Sequence, residues 1–169
     1  MSQMRLYLMR HGDAGDKAAW NGDDLERPLT EKGRMRALAM AEHLDRIGVA
    51  PRRVITSPLA RAAQTATTVA EVLGGIETLV QDDRLGPRFG IDALAKIIAE
   101  NDGEADGLLL VGHEPTLSQV LADVIGGGDI VMKKGAVAAV DLMPRAGKGS
   151  QPPSGTLAWL LSPGALGFF

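Results

Sequence analysis

The segment Met4-Arg5-Leu6-Tyr7-Leu8-Met9-Arg10-His11-Gly12 joins an apolar run of strand length to two basic side chains and a glycine. An apolar run of this length before a polar loop predicts a buried strand over residues 4–9. The side chains that follow stand at the strand's carboxyl end, where open α/β sheets bind their ligands. An arginine beside a neutral imidazole can hold a phosphate while the imidazole attacks its phosphorus. Three further segments carry complementary chemistry: Thr56-Ser57-Pro58-Leu59-Ala60-Arg61-Ala62-Ala63-Gln64-Thr65, Gly112-His113-Glu114 and Arg27-Pro28-Leu29-Thr30.

Outward from the first strand, apolar runs alternate with amphipathic stretches, the pattern of an α/β domain with a largely parallel sheet. A polar loop covers residues 13–29. Thr30 is placed to cap a helix in which Met35, Leu38, Ala41, Leu44 and Ile47 recur at three-residue steps, with Gly48 as its stop. Val54-Ile55 reads as a second strand. Ser57-Pro58 reads as N-cap and first helical residue of a helix carrying Leu59, Ala62, Ala66, Val69, Ala70 and Leu73.

A third strand is expected over 76–80, a helix over 91–100, a fourth strand over 108–111 and a helix over 116–125. Residues 136–143 and 156–161 are expected to form an antiparallel hairpin at the sheet edge. The segment between them, 144–155, is rich in Gly, Pro and Ser and reads as a loop whose Arg145 and Lys148 could touch a partner. Its Gly147-Lys148-Gly149-Ser150 is no phosphate loop, because Leu142 stands where the earlier glycine is required and no helix follows. The expectation is one domain spanning 1–169, a three-layer sandwich with a mostly parallel central sheet and helices on both faces.

Composition narrows the chemistry. A chain of 169 residues, 45% hydrophobic and 23% charged, can bury one core. A formal net charge of -3 offers no electrostatic case for nucleic acid or anionic membrane. There is no cysteine, which removes thiolate catalysis and cysteine metal sites. The three histidines lack His-x-x-x-His spacing, so a zinc hydrolase is not expected, and no metal or other cofactor is needed. No Gly-x-Ser-x-Gly supports a serine hydrolase. The first residues lead directly into a strand-sized run, so the expected location is cytoplasmic.

On this layout Arg10, His11, Arg61 and His113 meet at one sheet edge. Ser57 and Arg61, four apart, are expected beside a helix N-terminus, where amides and dipole favour an anion. His43 lies within the first amphipathic helix and reads as an ordinary surface or boundary residue.

Arg10-His11-Gly12-Asp13, Arg27-Pro28-Leu29-Thr30, Ser57-Pro58 with Arg61-Ala62 and Gln64-Thr65, and Gly112-His113 resemble, in order, the histidine phosphatase superfamily. The nearest branch is that of small phosphohistidine phosphatases of SixA type, with a phosphoglycerate mutase-like fold. The resemblance implies that His11 attacks phosphorus and becomes phosphorylated, while Arg10 and Arg61 hold the phosphoryl oxygens. His113, if protonated, would oppose their charge. It further implies that the second nitrogen of His11 donates to a fixed acceptor such as a backbone carbonyl. Arg27, Ser57 and Gly12 are candidate substrate-binding residues. Arg27 could equally serve a structural salt bridge, and Ser57 could cap its helix.

The general acid is the gap. Mutase and bisphosphatase relatives carry a glutamate after the third strand, where this chain reads Gln81-Asp82-Asp83-Arg84-Leu85-Gly86. Asp83 and Asp13 are the candidates, with Asp24 a third. A phosphoramidate needs less acid help than a phosphate ester, because its leaving imidazole is readily protonated. The expected substrate is therefore phosphohistidine on a protein, with a histidine phosphotransfer domain as one candidate partner. A small sugar or nucleotide phosphate is the alternative, and a silent phosphate-binding module the rival of another class. The short stretch between the third and fourth strands points to a shallow, open site.

Overall fold

The computed structural model describes residues 3–101, 107–144 and 151–168. Through them runs a six-stranded sheet of β1 (Arg5–Arg10), β2 (Arg53–Thr56), β3 (Thr78–Gln81), β4 (Leu108–Gly112), β5 (Val137–Leu142) and β6 (Gly155–Leu161). The order across it is β3-β2-β4-β1-β5-β6. The first four strands are parallel, β5 runs antiparallel to β1, and β6 antiparallel to β5. The expected edge hairpin is therefore present. Four helices accompany the sheet: α1 (Glu31–Arg46), α2 (Ala60–Leu73), α3 (Ile91–Glu100) and α4 (Thr116–Ile125).

Alternation along the central strands makes the layers. Leu6 and Leu8 of β1, with Leu108 and Leu110 of β4, pack against Leu94 and Ile97 of α3 and Leu117 and Leu121 of α4. Tyr7 and Met9, with Leu109 and Val111, face Met40 and Leu44 of α1 and Ala62 and Val69 of α2. All of β4 is buried, which is why its sequence shows no polar alternation. Each fully buried leucine contributes roughly 1.5–3 kcal/mol over leaving it exposed. Arg5 pairs with its cross-strand neighbour Asp141 at 2.6 Å and helps pin the register of β1 on β5.

Three local expectations change. Met35, Leu38 and Ile47 are exposed, and α1 instead buries Gly33, Ala37, Met40, Ala41 and Leu44. Steps of three fall short of a 3.6-residue turn and drift around the helix, whereas mixed steps of three and four hold one face. Helix α2 begins at Ala60 rather than Pro58, because Leu59 is still extended at φ -61°, ψ 134°. Strand β3 begins at Thr78 rather than Ile76. The cap on α1 is as expected, with Thr30 Oγ1 accepting from the Gly33 amide at 2.9 Å.

Among the described residues no helix is long and apolar enough to cross a membrane. The basic stretch containing Arg145 and Lys148, with Gly147 to Ser150, lies outside the described residues.

Register positions the chemistry. Arg10 pairs with Gly112, and Thr56 with Val111, so β1, β4 and β2 end in step. The ladder runs one residue further, from the His11 amide to the Gly112 carbonyl (3.1 Å) and from the Ser57 amide to the Val111 carbonyl (3.0 Å). His11, Ser57 and His113 therefore leave the sheet at the same edge.

Candidate active site

His11 is 8% exposed, and its Nδ1 lies 2.6 Å from the Gly12 carbonyl oxygen. A carbonyl only accepts, so Nδ1 carries the hydrogen and Nε2 keeps its lone pair. Burial, reinforced by His113, Arg61 and Arg10 and opposed by the Gly12 bond, pushes the imidazole down to about 3. The ring is thus a neutral base at physiological pH.

The loop beneath it is held from several sides. The Gly12 amide donates to Thr65 Oγ1 at 3.1 Å, and Thr65 donates in turn to the Arg61 carbonyl at 2.8 Å. Gln64 Oε1 accepts from the Leu29 amide at 2.9 Å. The Gln64-Thr65 pair of the sequence pattern therefore ties α2 to two loop segments. Gly12 has both backbone polar groups committed, its carbonyl to His11 Nδ1 and its amide to Thr65 Oγ1. A Cβ there would lie 3.2 Å from both the Gly33 carbonyl and Leu29 Cδ2.

Two guanidinium groups supply positive charge. Arg10 donates from Nη1 to the Met132 carbonyl at 3.0 Å. Arg61, 7% exposed, donates from Nη1 to the Asp24 carbonyl (2.9 Å) and from Nη2 to Asp24 Oδ2 (3.2 Å). The Nε of each is buried without a partner. Arg36 Nε is in the same state, so the case for an anion rests on the two positive charges, each of which lowers both the His11 and the His113 rings. Arg27 is engaged elsewhere: Nε donates to Asp24 Oδ1, and Nη1 to the carbonyls of Ala14 and Gly15, each at 2.9 Å. Of its two expected roles, the structure displays the salt bridge.

His113 stands opposite His11, with ring centroids 5.1 Å apart. Its Nε2 is 2.8 Å from Ser57 Oγ, which also accepts from the Leu59 amide at 3.3 Å. Ser57 thus caps a turn ahead of α2 rather than the helix itself. Burial first, then Arg61 and Arg10, lower His113 to about 4 against the opposing pull of Asp24. In this structure it is neutral, so the expected imidazolium needs a bound anion to raise its proton affinity.

Comparison with known proteins places the chain in a family. The model of the histidine phosphatase superfamily (branch 1) matches residues 6–89. Phosphohistidine phosphatase SixA of Escherichia coli K12 is 31% identical over 164 residues, covering 95% of this chain and 94% of its own. The chain belongs to the histidine phosphatase superfamily. The structure of the protein histidine phosphatase SixA complexed with tungstate superposes with a TM-score of 0.81 at 29% identity, covering 96% of this chain and 99% of that one. A mycobacterial glucosyl-3-phosphoglycerate phosphatase complexed with VO3 shares the fold, at TM-score 0.66 and 18% identity over 92% of this chain and 98% of its own.

The carboxylates of this histidine phosphatase are placed less favourably for acid catalysis. Asp13 accepts from Lys134 Nζ at 2.7 Å and from Thr30 Oγ1 at 2.9 Å. The Lys134 bond above all, with Thr30 and the Gly15 amide, lowers it to about 2, so it holds no proton at neutral pH. Asp24 has both oxygens on arginines. Asp83 is exposed on a single 3-10 turn, Asp83–Leu85. Glu114, beside His113, is bonded to the Ser118 amide and hydroxyl at the start of α4. Among the described residues no three His, Asp or Glu side chains group in a way that could hold a metal ion.

Sequence reasoning gave no role to Lys134, Met132 or Gly33. The Met132 carbonyl holds Arg10, the Gly135 amide donates to the His11 carbonyl at 3.0 Å, and Lys134 holds Asp13. No local pattern announces these contacts, which span more than a hundred residues. Gly33 did leave a signal, being an isolated glycine inside a helical pattern. An added Cβ there would fall 2.1 Å from the Asp13 carbonyl oxygen.

Proposed function

We propose that this histidine phosphatase removes the phosphoryl group from phosphohistidine in a protein, through a covalent phosphohistidine on His11. The observation that carries the reading is the fixed Nδ1 hydrogen bond of His11, which leaves Nε2 free beside the Arg10 and Arg61 guanidinium groups. In the first step Nε2 attacks phosphorus, and the bond from phosphorus to the substrate imidazole breaks. The electron pair leaves on that imidazole nitrogen, which takes a proton from solvent. In the second step water attacks phosphorus, returns the electron pair to Nε2 and releases inorganic phosphate.

Arg10 and Arg61 hold the equatorial oxygens, and the bound dianion raises the proton affinity of His113 enough to make it a third positive group. Catalysis then consists of positioning and electrostatics. The state of the carboxylates supports the substrate class. Asp13 is ionised, Asp24 is occupied and Asp83 is exposed, so a leaving group that protonates readily suits this site better than an alkoxide. The name of the SixA relative points the same way.

The test is phosphate release from a histidine-phosphorylated transfer domain, run beside sugar and nucleotide phosphates, with His11→Ala as the blank. Release from the phosphoprotein that disappears in His11→Ala, and a phosphorylated His11 trapped by rapid quench, are the expected results. Turnover confined to the esters would transfer the enzyme to small metabolites. Absence of turnover on all of them would leave a phosphate-binding module.

A further inference from the structure

We propose that Asp24 is a positioning residue for this reaction, closing a hydrogen-bonded ring that fixes the Arg61 guanidinium relative to His11. The inference rests on the proposed phosphoryl transfer and adds a residue to it. The ring can be traced atom by atom. From Gly12, next to the nucleophile, it passes through the amide to Thr65 Oγ1 (3.1 Å) and on to the Arg61 carbonyl (2.8 Å). The Arg61 side chain continues it to the Asp24 carbonyl (2.9 Å) and Oδ2 (3.2 Å). Asp24 Oδ1 then takes Arg27 Nε, whose Nη1 returns to the Ala14 carbonyl, both at 2.9 Å. Ala14 lies two residues beyond Gly12, and the circuit closes.

Two features separate this arrangement from a surface ion pair. The Asp24 side chain is 28% exposed against 9% for Arg61, so the pair is largely withdrawn from solvent. The main-chain carbonyl and the carboxylate together grip two guanidinium nitrogens, which fixes the plane and leaves Nε unpartnered. Without the carboxylate, one contact remains and the guanidinium can roll about it. Asn cannot replace the bridge, because it offers one acceptor oxygen and would turn its NH2 toward a cation.

The carboxylate has a second effect of opposite sign. It places negative charge on the cation that is to receive a phosphoryl dianion, and so works against simple anion binding. Removing that charge should help phosphate to bind while loosening the geometry that accelerates the reaction. A purely structural role predicts no such split.

The experiment compares full-length wild type, Asp24→Asn and Asp24→Glu. It measures kcat and KM on the histidine-phosphorylated transfer domain, calorimetric binding of inorganic phosphate, and thermal unfolding to establish that each variant is folded. For Asp24→Asn the expected result is a fall in kcat of about 10- to 100-fold. Phosphate should bind no more weakly than to wild type, and by the Coulomb term roughly two- to fivefold more tightly. Asp24→Glu, which keeps the charge and both oxygens, should recover part of kcat at wild-type phosphate affinity.

A wild-type kcat in Asp24→Asn would overturn the proposal, as would phosphate affinity lost in step with kcat. Should Asp24→Asn fail to fold, Asp24→Glu carries the test alone: lowered kcat at unchanged phosphate affinity supports positioning, and unchanged kcat refutes it. Failure of the underlying reaction is recognised separately, as a wild-type enzyme inactive on the phosphoprotein.

Discussion

A histidine that attacks phosphorus works only as the free base, and the setting of His11 is suited to keeping it so. An imidazole in water is half protonated near pH 6.5. Burial, with His113, Arg61 and Arg10 beside it, brings His11 down to about 3, and burial with Arg61 and Arg10 brings His113 to about 4. Lowering the pH from 8 to 5 should then leave both rings neutral in the free enzyme, and kcat/KM should show no acid limb near 6.5 arising from the enzyme. Imidazole resonances followed by NMR give the direct check. Those of His11 and His113 should hold their positions over this interval; a midpoint near 6.5 for either would contradict the burial argument. Inorganic phosphate should move the His113 midpoint upward, since a nearby anion favours the charged ring.

At the scale of elements, the nucleophile loop depends on how closely α1 can approach it. Gly33 lies in the first turns of α1, where a Cβ would sit 2.1 Å from the Asp13 carbonyl oxygen. That oxygen also accepts from the Thr30 amide at 2.9 Å, so loop and helix cap are tied together and neither yields freely. Gly33→Ala should therefore destabilise the protein by roughly 1–3 kcal/mol despite alanine's better helix propensity. It should also reduce kcat by displacing the backbone two residues beyond His11. Met35→Ala, on the exposed side of the same helix, should leave both unchanged; equal behaviour of the two variants in urea unfolding and turnover would remove the packing explanation.

The same helix shows where the sequence stops being legible. Strands and their terminal residues could be read because apolar runs and the groups that follow them are local, and Arg10, His11, Ser57 and His113 do share one sheet edge. The buried face of α1 could not, because Met35, Leu38 and Ile47 are as apolar as the residues that end up inside. The pairing of Asp24 with Arg61, and of Lys134 with Asp13, depends on register and loop packing that no spacing encodes.

For the molecule as a whole, the cost of a neutral site falls on acid stability. In the unfolded chain His11 and His113 take up protons near pH 6.5, whereas in the folded protein they do so only near about 3 and about 4. Between about pH 6.5 and about 4 the unfolded state binds up to two more protons. Stability therefore falls as pH drops below 6.5, by up to about 2.7 kcal/mol per pH unit from these two rings. Asp13, held down to about 2, adds its own loss only below the ordinary carboxylate range near 4. Against a typical domain stability of about 5–15 kcal/mol, the two imidazoles alone would make the fold acid-labile before its carboxylates titrate. Urea unfolding at intervals from pH 7.5 to 4.5 measures the slope directly. His113→Asn removes one of the two protons and should halve it, to about 1.4 kcal/mol per unit. A wild-type slope that His113→Asn leaves unchanged would mean that acid lability arises elsewhere, and that burying the site in its neutral form carries no such penalty.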